Sequence, residues 1–161
     1  MLLFANSLRF LTLMLLALSL PAQDTNFVAG GASFNGSGSP QFSVTGLYTR
    51  LLAGNTLSYI VFDAVPTTTR PYVIVNDLSI GPAQRMLTAG RFSLYTVTGA
   101  GVSWASGKNT GWTLNGGELL AIQLWGKWYI APSFRFVKSS VNQNSGSQVL
   151  ITVLIGKGFG E

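Results

Sequence analysis

Residues 110–140 read TGWTLNGGELLAIQLWGKWYIAPSFRFVKSS, and their reading decides the fold. Trp112, Leu114, Leu120, Ile122 and Leu124 share one parity on the first arm; Trp128, Ile130, Phe134 and Phe136 share one on the second. The residues between them are mostly small or polar: Thr113, Asn115, Gly117, Ala121 and Gln123, then Ala131, Ser133 and Arg135. Apolar side chains at every second position mark a strand with one apolar face. The two arms predict a hairpin that turns at Trp125 and Gly126. Each arm is longer than the usual strand of about 5–6 residues.

The pattern extends outward from this hairpin. Phe42, Val44 and Tyr48 alternate with Ser43, Thr45 and Thr49. Tyr72, Ile74, Leu78 and Ile80 alternate with Val73, Val75, Asp77 and Ser79. Phe92, Leu94, Val102 and Trp104 share a parity, and Val149, Ile151, Val153 and Ile155 alternate with Gln148, Leu150, Thr152, Leu154 and Gly156. Eight strands are predicted, at about 26–35, 40–50, 56–65, 70–80 with an extension to 88, 91–105, 110–124, 127–139 and 147–159. Polar connections at 35–39, 66–69, 106–109 and 141–146 alternate strictly with tight ones at 52–55, 89–90 and 125–126.

Strict alternation of this kind fits an up-and-down antiparallel barrel, whose successive connections fall at opposite ends. Outer-membrane barrels have an even strand number, short periplasmic turns and longer external loops. One assignment satisfies every connection: polar loops outside, tight turns and both termini in the periplasm. The more apolar parity then faces lipid, and the mixed parity fills the lumen. A closed barrel leaves no unpaired backbone edge in hydrocarbon.

Composition agrees. Charged residues are 9% of the 161, against about 25% in a typical soluble domain, and the mean hydropathy is +0.37. The net charge of +5 is spread over single cations, without the clustering a nucleic-acid footprint requires. No Cys and no His occur. Disulfides, thiolate chemistry and the commonest general base and metal ligand are therefore absent. Residues 1–22, MLLFANSLRFLTLMLLALSLPA, carry one cation, an apolar run and a small residue at their end. They read as a secretory signal peptide ahead of a barrel domain at 23–161. An uncleaved anchor is the alternative, although the run is short for a span of about 20 residues.

Three positions resist the pattern. Glu118 is in phase with the lipid-facing residues of its strand, and a bulge at Gly116-Gly117 is expected to turn it inward. Pro82 and Pro132 cannot donate to a ladder, so bulges or broken pairing are expected there. With Glu118 inward, Asp77, Glu118 and Arg135 form a lumen ion cluster, since intramembrane charges pair with one another. A structural salt-bridge plug is the reading adopted over an ion path or a catalytic carboxylate. Eight strands leave an interior just wide enough for side chains. Tyr48, Tyr72, Trp104, Trp112, Trp125, Trp128 and Phe159 lie near strand ends and are expected in interfacial girdles. Arg70, Lys108 and Lys138, at the loop end, are candidate contacts for lipopolysaccharide phosphates. No catalytic, cofactor-binding or metal-binding residues are assigned.

The whole segment after residue 22 resembles the small eight-stranded outer-membrane β-barrels of the OmpA/OmpX type. RFSLYTVTGAGVSWAS, LNGGELLAIQL, WYIAPSFRFVKSS and VLITVLIGKGF look like the last four strands of that family. LIGKGF is similar to the terminal signal such proteins present to the barrel-assembly machinery, with Gly156 and Phe159 at the small and aromatic positions; Gly160 and Glu161 extend past it. The resemblance implies insertion in a bacterial outer membrane by way of the secretory pathway and periplasm. It also implies lipid contact, a monomer, and a structural, adhesive or interaction role without enzymatic chemistry. The competing reading is a secreted or periplasmic soluble barrel, lipocalin- or avidin-like, holding a small apolar ligand. That version needs Ser43, Thr45, Thr113 and Asn115 outside and leaves Leu150 and Leu154 exposed.

Overall fold

The computed structural model describes residues 26–35, 41–66, 73–105, 110–141 and 144–159. The expected signal peptide, Arg70, Tyr72 and Lys108 lie outside the described residues. Eight strands follow one another: β1 (Asn26–Asn35), β2 (Gln41–Ala53), β3 (Thr56–Pro66), β4 (Ile74–Ala89), β5 (Phe92–Ala105), β6 (Thr110–Gln123), β7 (Trp128–Val141) and β8 (Asn144–Phe159). Each pairs antiparallel with the next, and β8 returns to β1, with Asn26 opposite Phe159 and Asn35 opposite Leu150. The sheet is thereby a closed barrel.

Local chemistry places the turns. Gly54, Gly90 and Gly126 adopt φ of 53°, 58° and 53°, in the left-handed region that costs glycine little. They sit in the β2–β3, β4–β5 and β6–β7 connections, at the same end of the barrel as Asn26 and Phe159. At the β6–β7 turn, Gln123 Nε2 donates to the Gly126 carbonyl at 2.6 Å, and Trp128 N donates to the Trp125 carbonyl at 2.9 Å.

Parity decides which face is which. On β8, Leu150, Thr152 and Leu154 are buried in the lumen, whereas Ile151, Val153 and Ile155 are exposed on the outer wall. Phe42, Val44, Ile80, Phe92, Val102 and Phe136 are outside as well. The lumen holds Ser33, Thr45, Asp63, Asp77, Ser103 and Thr113 alongside Leu47, Tyr59, Val61 and Val97. Ser43, Thr45, Thr113, Asn115, Leu150 and Leu154 are all buried. Those six are the residues that a soluble barrel would have to turn outward, so the inverted arrangement fails.

The irregular positions behave differently from one another. The β4–β5 ladder lapses at Gly81 and Pro82 and resumes in register at Ala83 opposite Val97. The β6–β7 ladder lapses between Leu119–Ser133 and Ile122–Ile130, where Pro132 lies. Both prolines break pairing on one side, as their missing N–H dictates. Bulges occur instead beside two tight turns, between Leu51 and Ala53 and between Arg85 and Leu87.

The expected bulge at Gly116-Gly117 is not formed. Both residues pair in unbroken register, with Thr98 and Val97 on one side and Phe136 and Arg135 on the other. Glu118 consequently stays outside, between Thr96 of β5 and Phe134 of β7. The physical role of Gly117 is close approach. A Cβ there would stand 2.0 Å from the Phe134 carbonyl oxygen, whereas one on Gly116 meets nothing nearer than 3.8 Å. Gly117→Ala is therefore expected to destabilise the barrel by about 1–3 kcal/mol, the usual cost of overpacking. Gly116→Ala is expected to be close to neutral. Denaturant unfolding of the two variants, followed by gel mobility of the unboiled protein, compares them directly.

Candidate functional site

The most elaborate chemistry in the molecule lies inside the barrel. β3 and β7 face each other across the lumen, four strands apart around an eight-stranded wall. Inward parity on β3 points Tyr59 and Asp63 toward the axis, and on β7 it points Arg135 back at them. Arg135 forks onto the carboxylate: Nη1 donates to Asp63 Oδ2 at 2.8 Å and Nη2 donates to Oδ1 at 2.7 Å. Both side chains are essentially without solvent exposure, at 3% and 2%. A planar guanidinium matched to both oxygens of a carboxylate is the strongest geometry such a pair has.

The pair anchors a chain of hydrogen bonds around the lumen. Thr45 Oγ1 donates to Asp63 Oδ1 at 2.5 Å. The Ser33 hydroxyl contacts Thr45 Oγ1, and it contacts Thr152 Oγ1 at 2.8 Å. On the other side, Arg135 Nη1 reaches Tyr59 Oη at 3.5 Å, and Tyr59 Oη donates to Asn115 Oδ1 at 3.3 Å. Six of the eight strands contribute: β8, β1, β2, β3, β7 and β6.

Asp77 stands beside this network rather than in it. It is the ladder partner of Asp63 on β3 and of Ser103 on β5. Ser103 and Thr113 hydroxyls face its carboxylate. No hydrogen bond is closed among them: Asp77 Oδ1 and Oδ2, Ser103 Oγ and Thr113 Oγ1 are buried polar atoms left unsatisfied among the described residues.

The expected cluster of Asp77, Glu118 and Arg135 is thus rearranged. Arg135 and Asp77 share the lumen, but the partner of Arg135 is Asp63, and Glu118 is on the outer wall. Asp63 is hard to assign a face from sequence because residues 57–65, LSYIVFDAV, are apolar at both parities. The one available signal was that Asp63 shares its parity with Tyr59 and differs from Phe62. Nothing local indicates that β3 and β7 will oppose each other.

Five of the aromatic candidates fall into two groups toward the ends of the barrel, and Tyr48 joins neither. Trp104 and Trp112 lie toward the loop end, with Trp104 tilted on Phe62 at a ring distance of 6.1 Å. Trp125, Trp128 and Phe159 lie at the tight-turn end, where Lys157 Nζ sits 5.9 Å from the Trp128 ring. Tyr48 is part-way along β2, opposite Val28 and Ile60. Lys138 is exposed on β7 toward the loop end. No group of three or more His, Cys, Asp or Glu side chains able to hold a metal occurs among the described residues.

Chemically the network can hold the walls together but is poorly placed to react. Thr45 bonds to a carboxylate, yet that carboxylate is already engaged by both guanidinium nitrogens. Thr45 is 1% exposed, which leaves no approach for a substrate.

With this geometry, the chain matches known barrels in shape. The fold is similar to Ail, the attachment invasion locus protein of Yersinia pestis, at 14% identity over 87% of this chain and 100% of that one, with a TM-score of 0.60. It is also similar to Neisserial surface protein A, at 11% identity over 84% and 96%, TM-score 0.63. A major outer membrane protein from Thermus thermophilus matches at 10% identity over 84% and 98%, TM-score 0.58. No family model and no curated protein sequence matches the chain. At these identities the likeness is one of fold: a closed eight-stranded antiparallel barrel of the shape that these outer-membrane proteins share.

Removing one partner of a buried pair strands the other charge, at a cost of about 3–5 kcal/mol. Arg135→Ala is expected to lose about that much. The double variant Asp63→Leu with Arg135→Met is expected to recover most of it, because neither charge remains. Equal instability of the single and double variants in denaturant titrations would show that the pair is not the source of the loss. Asp77→Asn removes a buried charge that has no partner and is expected to raise stability, by about 1 kcal/mol.

Proposed function

We propose that this chain is a non-enzymatic β-barrel of a bacterial outer membrane, with a side-chain-filled lumen and a structural, adhesive or interaction role at its loop end. The observation that carries the reading is the distribution of polarity. The outer wall exposes Phe34, Phe42, Val44, Ile80, Phe134 and Ile155, while hydroxyls, carboxylates and a guanidinium are turned inward. Water stabilises the reverse arrangement; hydrocarbon stabilises this one. The even strand number and the tight turns gathered at one end follow the pattern of outer-membrane barrels, and the solved structures of similar shape come from such proteins. The absence of His and Cys and the closed hydroxyl–carboxylate network argue against hydrolase or acyltransferase chemistry.

In this reading the tight turns face the periplasm, and the two groups of tryptophans mark the lipid–water boundaries. Lys138 lies toward the outer leaflet, where it faces lipopolysaccharide phosphates. Residues 1–22 direct export, and the end of β8 is presented to the barrel-assembly machinery. The barrel is a monomer. The Yersinia protein of similar shape is named for attachment and invasion; a surface-contact role of that general kind is the finer form of this proposal.

Envelope fractionation with gel electrophoresis tests the reading. The protein is expected in the outer-membrane fraction and is expected to migrate differently with and without boiling. Recovery as a soluble periplasmic protein with no mobility shift would overturn it. Glu118 supplies a second test. It lies midway along β6 between Trp112 and Trp125, on the face assigned to lipid. A lipid-facing acid costs less than the about 2–4 kcal/mol of a basic residue at the midplane. Glu118→Leu is therefore expected to stabilise the barrel in phospholipid bilayers by up to about 2 kcal/mol.

A further inference from the structure

Toward the tight-turn end, the side chains that fill the lumen leave a gap between them. A cavity of about 200 Å³ lies there, lined by Phe27, Leu57, Arg85, Tyr95, Leu119 and Tyr129 among others. All of these are inward-facing residues, and Phe27, Leu57, Arg85 and Tyr129 lie close to the ends of their strands at the tight turns or termini. Phe27 and Tyr129 meet edge to face at 5.4 Å and form one side of the wall.

Charge is what distinguishes this cavity. Among the described residues, Arg85 is its one charged lining residue, and no Asp or Glu lines it. Arg85 Nε is buried without a hydrogen-bond partner, and the guanidinium lies 5.8 Å from the centre of the Tyr95 ring. Among the described residues, the contrast is with Arg135, whose guanidinium is forked onto Asp63. An inward guanidinium held against aromatic walls, with no carboxylate beside it among the described residues, offers a bonding site to an acid.

The walls indicate which acid. They are mostly apolar and aromatic, with the hydroxyls of Thr49 and Ser93 and the phenols of Tyr95 and Tyr129 as the other polar groups of the lining residues. Ser93 Oγ is already within 3.3 Å of Thr88 Oγ1. A doubly charged phosphate would meet only one cation among the described lining residues. A carboxylate carries one charge and fits a guanidinium through two parallel hydrogen bonds. The volume exceeds the roughly 150 Å³ of an engineered apolar cavity that holds benzene, enough for a short aliphatic chain or a single ring.

We propose that this cavity binds a small apolar monocarboxylate from the tight-turn end, with Arg85 as the anchor of its carboxylate and Phe27, Tyr95 and Tyr129 around its apolar body. The site depends on the closed lumen and not on any role of the loop end.

The test uses the barrel in phosphatidylcholine nanodiscs, titrated with hexanoate and, in parallel, with hexanol, while backbone amide resonances are followed. Hexanoate is expected to shift the amides of Ser93, Tyr95 and Tyr129 saturably, and hexanol is not. Arg85→Gln is expected to weaken hexanoate at least about tenfold, the factor for losing a charge-assisted pair. Ala121→Leu, which fills the cavity and keeps Arg85, is expected to abolish the saturable shifts. Folding and insertion of each variant are scored separately by the heat-dependent gel shift, so failure of the membrane reading is distinguishable from failure of the site. If Arg85→Gln does not fold, Ala121→Leu and the hexanol comparison decide. Non-saturating hexanoate shifts, equal affinity in Arg85→Gln, undiminished binding in Ala121→Leu, or saturable hexanol binding would each overturn the proposal.

Discussion

The ladder between β1 and β8 is the constraint on which everything else rests. Without it the chain is an eight-stranded meander with two open edges, each a row of unpaired N–H and C=O groups. With Asn26 opposite Phe159 and Asn35 opposite Leu150, both edges vanish and the sheet acquires an inside. Residues that alternate along every strand are then sorted into two environments that do not mix. Pairing partners are satisfied around the whole circumference, which is what a backbone surrounded by hydrocarbon requires.

Closure also creates proximities that the linear chain does not contain. Arg135 and Asp63 are 72 positions apart and sit on opposite walls. The reach of an arginine across the lumen makes them a bidentate pair. Thr45, Ser33 and Thr152 then join the carboxylate side, and Tyr59 and Asn115 join the guanidinium side. A buried network is worth having only when its members are satisfied, and this one largely is. Two groups stand apart from it. Among the described residues, Asp77 is an acid without a cation, and Arg85 at the tight-turn end is a cation without an acid. Neither reaches the other's level of the lumen, since Asp77 pairs with Ser103 near one end of β5 and Arg85 with Tyr95 near the other.

Much of the architecture was legible in the residues. Alternation in 110–124 and 147–159 located strands, and Gly54, Gly90 and Gly126 located tight turns at the positions where φ is positive. Pro82 and Pro132 announced lapses in pairing, and the lapses are there. Gly116-Gly117 was misread. A glycine pair in a strand is compatible with a bulge or with close backbone approach, and the unbroken register, with room for no Cβ at Gly117, distinguishes them. The consequence reached Glu118, whose direction depends on that choice.

What the sequence by itself determined is the strand count, the turn positions and the face assigned to each parity. Those properties are local: they come from a two-residue side-chain period and from the φ angles that glycine and proline allow. Only the tertiary structure decided that Arg135 meets Asp63, that Glu118 remains on the outer wall, and that a cavity opens beside Arg85. Those outcomes depend on the register of closure, which sets the strands that oppose one another across the lumen and the level at which each side chain arrives. No stretch of the chain carries that information alone, because it is a property of the sum of all eight ladders.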